Sequence, residues 1–100
     1  MSAATESANL VGPCVRCGDI ADAVVDAAHE DNPGREIVVE NHSAYVRLKV
    51  EKELILRRAT IEDHLGRPFQ MWELQPEMPA IAGLVEMADD SIRFYYDKTL

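Results

Sequence analysis

Cys14 and Cys17, in the run Cys14-Val15-Arg16-Cys17, are the two thiols of this 100-residue chain, and their spacing is the first that could do chemistry. It suits a redox dithiol or half of a zinc site. A zinc site needs a second ligand pair, and the sequence has no further cysteine to build one. A dithiol gains reactivity from the positive end of a helix. Here Asp19 follows both cysteines and its charge opposes a thiolate. In an extended strand the two Cα atoms stand about 10 Å apart, whereas a disulfide tolerates about 7 Å. The residues favour a pair of inert strand thiols, and a thiol redox protein using Cys14 and Cys17 is kept as the alternative function.

The other reactive side chains form no recognisable constellation. There is no His-Glu-x-x-His zinc motif, no G-x-S-x-G elbow and no phosphate loop. Carboxylate-bridged di-iron sites use Glu-x-x-His pairs, and none of His29, His42 and His64 has a Glu three residues before it. His29 falls on the polar side of a helical stretch, His42 in a turn and His64 on a short helix, so all three read as surface residues. Asp89-Asp90 reads as a turn rather than an acid/base couple. Trp72, Tyr95 and Tyr96 favour core or interface packing over a ligand pocket. A ligand-binding module with Trp72 in a pocket is a third reading.

Eighteen acidic residues against ten basic give a net charge of −8. That balance argues against nucleic acid and against anionic membrane surfaces, which need a basic footprint. No apolar run reaches the ~18 residues of a membrane span, and the N-terminus lacks the basic-then-apolar pattern of a signal peptide. The expectation is a cytoplasmic protein with a mobile tail over residues 1–9 and a single domain over residues 10–100.

The elements that must position these residues can be read along the chain. Leu10–Arg16 reads as a strand, placed at an edge or bulged because Pro13 lacks an N–H. Asp19 reads as the N-cap of an amphipathic helix with Ile20, Val24, Ala27 and Ala28 on one face and Asp22, Asp26, His29 and Glu30 opposite. Asp31-Asn32-Pro33-Gly34 ends it. Strands are expected over Glu36–Asn41, Ala44–Glu51 and Leu54–Arg58, the second alternating cleanly. Thr60 reads as the cap of a short helix closed by Gly66, and Gln70–Leu74 as a further helical turn. Ile81–Met87 and Ser91–Asp97 read as a final hairpin, with Ile92, Phe94 and Tyr96 on one face. The order gives an α+β fold of duplicated strand-helix-strand-strand units, a mainly antiparallel sheet with helices packed on it.

Several segments, in this order and spacing, resemble one family. They are Asp31-Asn32-Pro33-Gly34 leading into Glu36-Ile37-Val38-Val39-Glu40, then Ala44-Tyr45-Val46-Arg47 and Glu53-Leu54-Ile55-Leu56. Leu65-Gly66-Arg67-Pro68-Phe69, Ala82-Gly83 and Ile92-Arg93-Phe94-Tyr95-Tyr96-Asp97-Lys98 follow. The set is similar to the effector (coupling, or regulatory) proteins of bacterial multicomponent di-iron monooxygenases, closest to the branch that serves toluene 4-monooxygenase.

The resemblance implies a protein that is not an enzyme and binds no metal or organic cofactor. It would dock on the di-iron hydroxylase of a toluene-type aromatic monooxygenase and couple oxygen activation to substrate hydroxylation, in competition with a ferredoxin for the same surface. It also implies that Glu77, Met78, Pro79, Ala80, Ile81, Ala82 and Gly83, before the final hairpin, face the hydroxylase. Gly83 is expected where backbone comes close or φ is positive. Tyr45 matches the family at a strand start. The chain departs from the family pattern in its two cysteines and in Pro76 and Pro79.

Overall fold

The computed structural model describes residues 10–96. The tail expected over residues 1–9, and Asp97 and Lys98 of the expected last strand, lie outside the described residues. The order is β1 (Leu10–Arg16), α1 (Asp19–Asp31), β2 (Ile37–Asn41), β3 (Tyr45–Glu51), β4 (Glu53–Arg57), α2 (Arg58–Leu65), a 3₁₀ helix (Met71–Glu77), β5 (Ala80–Ala82), β6 (Leu84–Met87) and β7 (Ser91–Tyr95).

The strands form two sheets, one in the order β2-β3-β1-β5 and the other β4-β7-β6. Every pairing is antiparallel. The duplication read from the sequence is present in the topology. The first unit, β1-α1-β2-β3, has spatial order β2-β3-β1, and the second, β4-α2-β6-β7, has the matching order β6-β7-β4. The extra strand β5 belongs to the second half of the chain but pairs with β1 in the first sheet.

Strand alternation explains which side of each sheet is dry. In β3, Val46, Leu48 and Val50 are buried while the residues between them are half-exposed. Leu54 and Leu56 of β4 and Ile92 and Phe94 of β7 follow the same rule and sit as ladder partners, Leu54 with Phe94 and Leu56 with Ile92. Helix α1 buries Ala21, Ala23, Val24, Ala27 and Ala28 and leaves Asp22, Asp26, His29 and Glu30 exposed. Ile61 of α2, with Phe69, Met71 and Leu74, completes one continuous core.

A buried polar clamp joins the helix layer to the second sheet. Asn32, only 6% exposed, donates from Nδ2 to the Ala28 carbonyl at 2.8 Å and to the Ile55 carbonyl at 2.7 Å. Its Oδ1 accepts from the Ile55 N–H at 2.9 Å. Asp31 accepts from the Arg57 N–H and the Thr60 hydroxyl, both at 2.8 Å. Ile55 and Arg57 belong to β4, an edge strand, so these side chains satisfy backbone groups that the ladder leaves open on that edge.

The structure corrects five details. Pro13 does not put β1 at an edge: β1 is flanked by β3 and β5, and the β3 ladder skips Gly12 and Pro13 without changing register. At Gly12 a Cβ would stand 2.4 Å from the Leu48 carbonyl oxygen, so the backbones are too close there for a side chain. Asp19 is the first helical residue and not the cap; Gly18 occupies the cap with no side-chain hydrogen bond, and Asp19 and Asp22 face the positive end of the helix dipole. Thr60 lies inside α2, which starts at Arg58, because its hydroxyl is held by Asp31. The run Ile81–Met87 is two strands, broken at Gly83. The last strand ends at Tyr95 rather than Asp97, and Tyr96, past that end, is 42% exposed where Ile92 and Phe94 are buried.

Candidate functional site

The segment from the 3₁₀ helix to β6 is fastened at its ends and presented in its middle. Arg67-Pro68 leads to Phe69, whose N–H is held by Glu62 Oε2 at 2.9 Å and whose ring is wholly buried. Gln70 and Glu73 then form a reciprocal capping box, with the Gln70 N–H donating to Glu73 Oε2 at 2.9 Å. Met71 and Leu74 anchor the 3₁₀ helix in the core, Pro76 lies within it, and Arg16 Nε reaches the Pro76 carbonyl at 3.3 Å. Met78 packs partly against the core.

Beyond Met78 the chain turns outward. Pro79 and Ala80 are exposed, and Ile81 is 39% exposed although it is aliphatic. β5 pairs Ala80 with Cys14, Ile81 with Pro13 and Ala82 with Gly12. Gly83 then carries the chain from the first sheet to the second with φ of +91°. A Cβ at Gly83 would stand 2.6 Å from Val11 Cγ1 and 2.8 Å from the Tyr95 carbonyl oxygen. The close backbone approach expected at Gly83 is therefore made within this chain, onto both sheets at once. β6 resumes with Leu84, 36% exposed, and Val85, 43% exposed. Together β5, Gly83 and β6 make an apolar strap that runs from an edge of the first sheet to an edge of the second.

All seven residues singled out from the sequence lie on this strap or its approach. Pro79, Ala80, Ile81 and Gly83 are exposed; Glu77, Met78 and Ala82 are half-buried. The residues that sequence reading missed are Leu84 and Val85. Trp72 is 65% exposed and borders a hollow of about 270 Å³ with Gln70, Met71, Met87, Ala88 and Asp89, so it is neither a core residue nor enclosed in a pocket. The signal for β6 was its adjacent pair Leu84-Val85, which an edge strand cannot bury on both faces.

The strap is backed by charge on the outer face of the second sheet. The Arg93 guanidinium bonds Glu53 of β4, reaches Glu86 of β6 at 3.4 Å and lies 4.1 Å from the Tyr95 ring centroid. It ties the three strands together from the middle one. At the helix layer His64 Nε2 meets Glu30 at 2.9 Å and His64 Nδ1 lies 3.8 Å from Asp26, linking α2 to α1. The Glu30 hydrogen bond, with the nearby acidic charges, raises the His64 pKa against the opposing cost of burial. At the far edge of the first sheet the Lys49 hydrogen bond, with a second from His42, lowers the Glu40 pKa.

The remaining candidates do not converge. Cys14 is buried in β1 opposite Arg47 and Ala80, whereas Cys17 is exposed past the strand end, and both are free. His29 and His42 are exposed, with His42 stacked on Tyr45 at 5.0 Å. Among the described residues no group of three or more His, Cys, Asp or Glu side chains is placed to hold a metal ion, and no helix is long and apolar enough to cross a membrane. A hollow of about 510 Å³ is lined by Leu10, Val38 and Val50 with the mixed charges of Arg35, Glu36, Lys49 and Glu51. The exposed apolar strap, paired to the edges of both sheets, is the candidate binding surface.

The sequence profile of the MmoB/DmpM family matches residues 9–95. The effector subunit of the alkene monooxygenase system of Xanthobacter autotrophicus (strain ATCC BAA-1158 / Py2) is 44% identical over 88 residues, which is 88% of this chain and 87% of that one. The phenol 2-monooxygenase stimulatory component DmpM of Pseudomonas sp. (strain CF600) is 38% identical over 82 residues, covering 82% of this chain and 89% of the relative. In a solved phenol hydroxylase–regulatory protein complex, one chain superposes with a TM-score of 0.74 at 31% identity, over 88% of this chain and 99% of its own length. The soluble methane monooxygenase regulatory protein B shares the fold, with a TM-score of 0.69 at 14% identity over 91% of this chain and 67% of that protein.

Proposed function

Because this chain belongs to the MmoB/DmpM family, the effector components of multicomponent di-iron monooxygenases, we propose that it docks through the β5–Gly83–β6 strap on the hydroxylase and couples oxygen activation to substrate hydroxylation. It is a regulatory component and not a catalytic subunit, as its relatives are effector, stimulatory and regulatory components. The observation that supports the docking face is the strap itself. Ile81, Leu84 and Val85 are aliphatic and exposed at the junction of the two sheets, and Gly83 fixes their path by packing on Val11 and Tyr95.

The action is differential binding. An effector shifts its partner only by binding one conformation better than another. Moving a 1:99 equilibrium to 99:1 takes about 5.5 kcal/mol of preference. A standard interface of about 1,600 Å² in total is large enough to carry that difference. A rigid strap suits this task, because a surface that deformed to fit both partner states would favour neither. The action needs no thiol chemistry: Cys14 is buried, Cys17 is exposed and both are free.

The test is an activity titration with purified hydroxylase, ferredoxin, reductase and NADH, adding this protein from zero and following product formed per NADH consumed. Rate and coupling should rise and saturate near one effector per active site. Toluene-type, phenol and alkene hydroxylases run in parallel decide the finer expectation, that the native partner oxidises aromatic rings of the toluene type. If ferredoxin shares the docking surface, excess effector beyond saturation should slow turnover, and added ferredoxin should restore it. Ile81→Asp should abolish the stimulation with an unchanged circular dichroism spectrum. Full stimulation by Ile81→Asp would remove the strap from the interface.

A further inference from the structure

The strap does not end at β6. Cross-strand partners point to one face of a sheet, and Val85 and Met87 oppose Phe94 and Ile92, which are fully buried. Val85 and Met87 therefore lie on the core-facing side of an edge strand. Val85 is 43% exposed there, and Met87 borders the hollow beside Trp72. Apolar surface thus continues along the chain from Ile81 through Val85 to Met87, which shares its hollow with Trp72, a residue 65% exposed. Met71 and Leu74, on either side of Trp72, are buried, so the indole projects from a fastened backbone.

The hollow has an acidic rim. Asp89 lines it and Asp90 follows. Arg58 is spent on their backbone, its N–H donating to the Asp90 carbonyl at 2.8 Å and its Nη1 reaching the Asp89 carbonyl at 3.5 Å. Among the described residues neither of these two carboxylates takes part in an ion pair. Tryptophan is enriched among the residues that carry binding energy, and such residues fill complementary pockets on the partner. An acidic rim favours a basic neighbour on the docking partner and steers its approach.

We infer that Trp72 and the hollow it shares with Met71 and Met87 form a second anchor of the docking surface, seating an apolar side chain of the hydroxylase flanked by a lysine or arginine. The inference rests on the docking reading above and extends it to residues that reading did not use. The continuity of the apolar surface with the strap identifies the occupant as the same partner.

Trp72 is the sole tryptophan of the chain, so it supplies its own probe. Protein labelled with fluorotryptophan gives one fluorine resonance for this site, which should shift and broaden when the di-iron hydroxylase of an alkene monooxygenase is added. Trp72→Ala should keep the melting temperature of the parent and raise the half-saturating concentration in the coupling assay about tenfold or more, the loss typical of a truncated anchor residue. Asp89→Lys should weaken docking most at low salt. If Trp72→Ala saturates like the parent while Ile81→Asp fails, the second anchor is refuted and strap docking stands. If the resonance moves with the concentration of this protein alone, the occupant is a second copy and the inference is wrong. If the parent itself stimulates none of the three hydroxylases, the docking reading fails and the anchor with it.

Discussion

Replacing Asn32 by aspartate changes one terminal atom group and should strongly destabilise the protein. The side chain is 6% exposed and makes three hydrogen bonds, donating to the Ala28 and Ile55 carbonyls and accepting from the Ile55 N–H. Aspartate keeps the accepted bond and loses both donated ones. Each neutral bond contributes about 1 kcal/mol net, and each buried acceptor left without a donor costs about 1–3 kcal/mol. The new carboxylate also faces two carbonyl oxygens with little water, so the total loss is about 3–6 kcal/mol. Domains of this size are stable by about 5–15 kcal/mol, and each kcal/mol moves the midpoint by about 4–8 °C. The Asn32→Asp melting temperature should thus fall by roughly 12–48 °C at neutral pH. The sign with pH follows from the site. A carboxyl surrounded by acceptors has a folded pKa above its unfolded value, because the protonated form can donate to one carbonyl. The deficit should therefore shrink as pH falls from 7 through the folded pKa toward the unfolded value near 4. Thermal melts by far-ultraviolet circular dichroism across that range, with hydrogen exchange at the Ile55 amide, test both parts. A midpoint at neutral pH within about 3 °C of the parent, less than 1 kcal/mol on this scale, would refute the clamp as a stabilising element.

Further outcomes are expected. Gly83→Val puts a branched side chain where a Cβ already meets Val11 at 2.6 Å and the Tyr95 carbonyl oxygen at 2.8 Å, at a φ of +91°; urea denaturation should show a loss of about 2–6 kcal/mol from strain and overpacking together, and an unchanged midpoint would mean the strap can lift off both sheets. Cys14→Ala with Cys17→Ser should leave hydroxylase coupling within about twofold of the parent, that is within about 0.4 kcal/mol; loss of coupling in a folded double variant would revive the thiol reading. For His64 the raised folded pKa, caused first by the Glu30 hydrogen bond, means a stabilisation fully present below the ordinary value of 6.5 and lost as pH rises through the folded value. An NMR titration of the imidazole should give a midpoint above 6.5, returning toward it in Glu30→Gln. A midpoint at or below 6.5 in the parent would break the α1–α2 link described here.

The local patterns that one element settles by itself were legible in the chain. The alternation of β3, the buried face of α1 and the stop at Asp31–Gly34 follow from residues close in sequence, and the repeated strand-helix-strand-strand order follows from counting them. What escaped were decisions made by distant residues. Thr60 looks like a cap until Asp31, 29 residues earlier in the chain, takes its hydroxyl. Pro13 suggests an edge until β5 arrives on the far side of β1. Ile81–Met87 is one apolar run, and nothing in its composition says that Gly83 hands it from one sheet to the other. The docking segment itself came from resemblance to a family rather than from residue chemistry, because an interface has no catalytic spacing to betray it. The exposure of Trp72 was invisible for the same reason that the exposure of Val85 was: it depends on where neighbouring strands stop.

The matching strand orders of the two halves have a consequence for orientation. A molecule made of two like units presents two similar ends, and a partner reading only shape could take it either way round. β5 has no counterpart in the first unit, so it makes one end unlike the other. These three paired residues, with the 3₁₀ helix before them, are features by which a partner can tell the two halves apart.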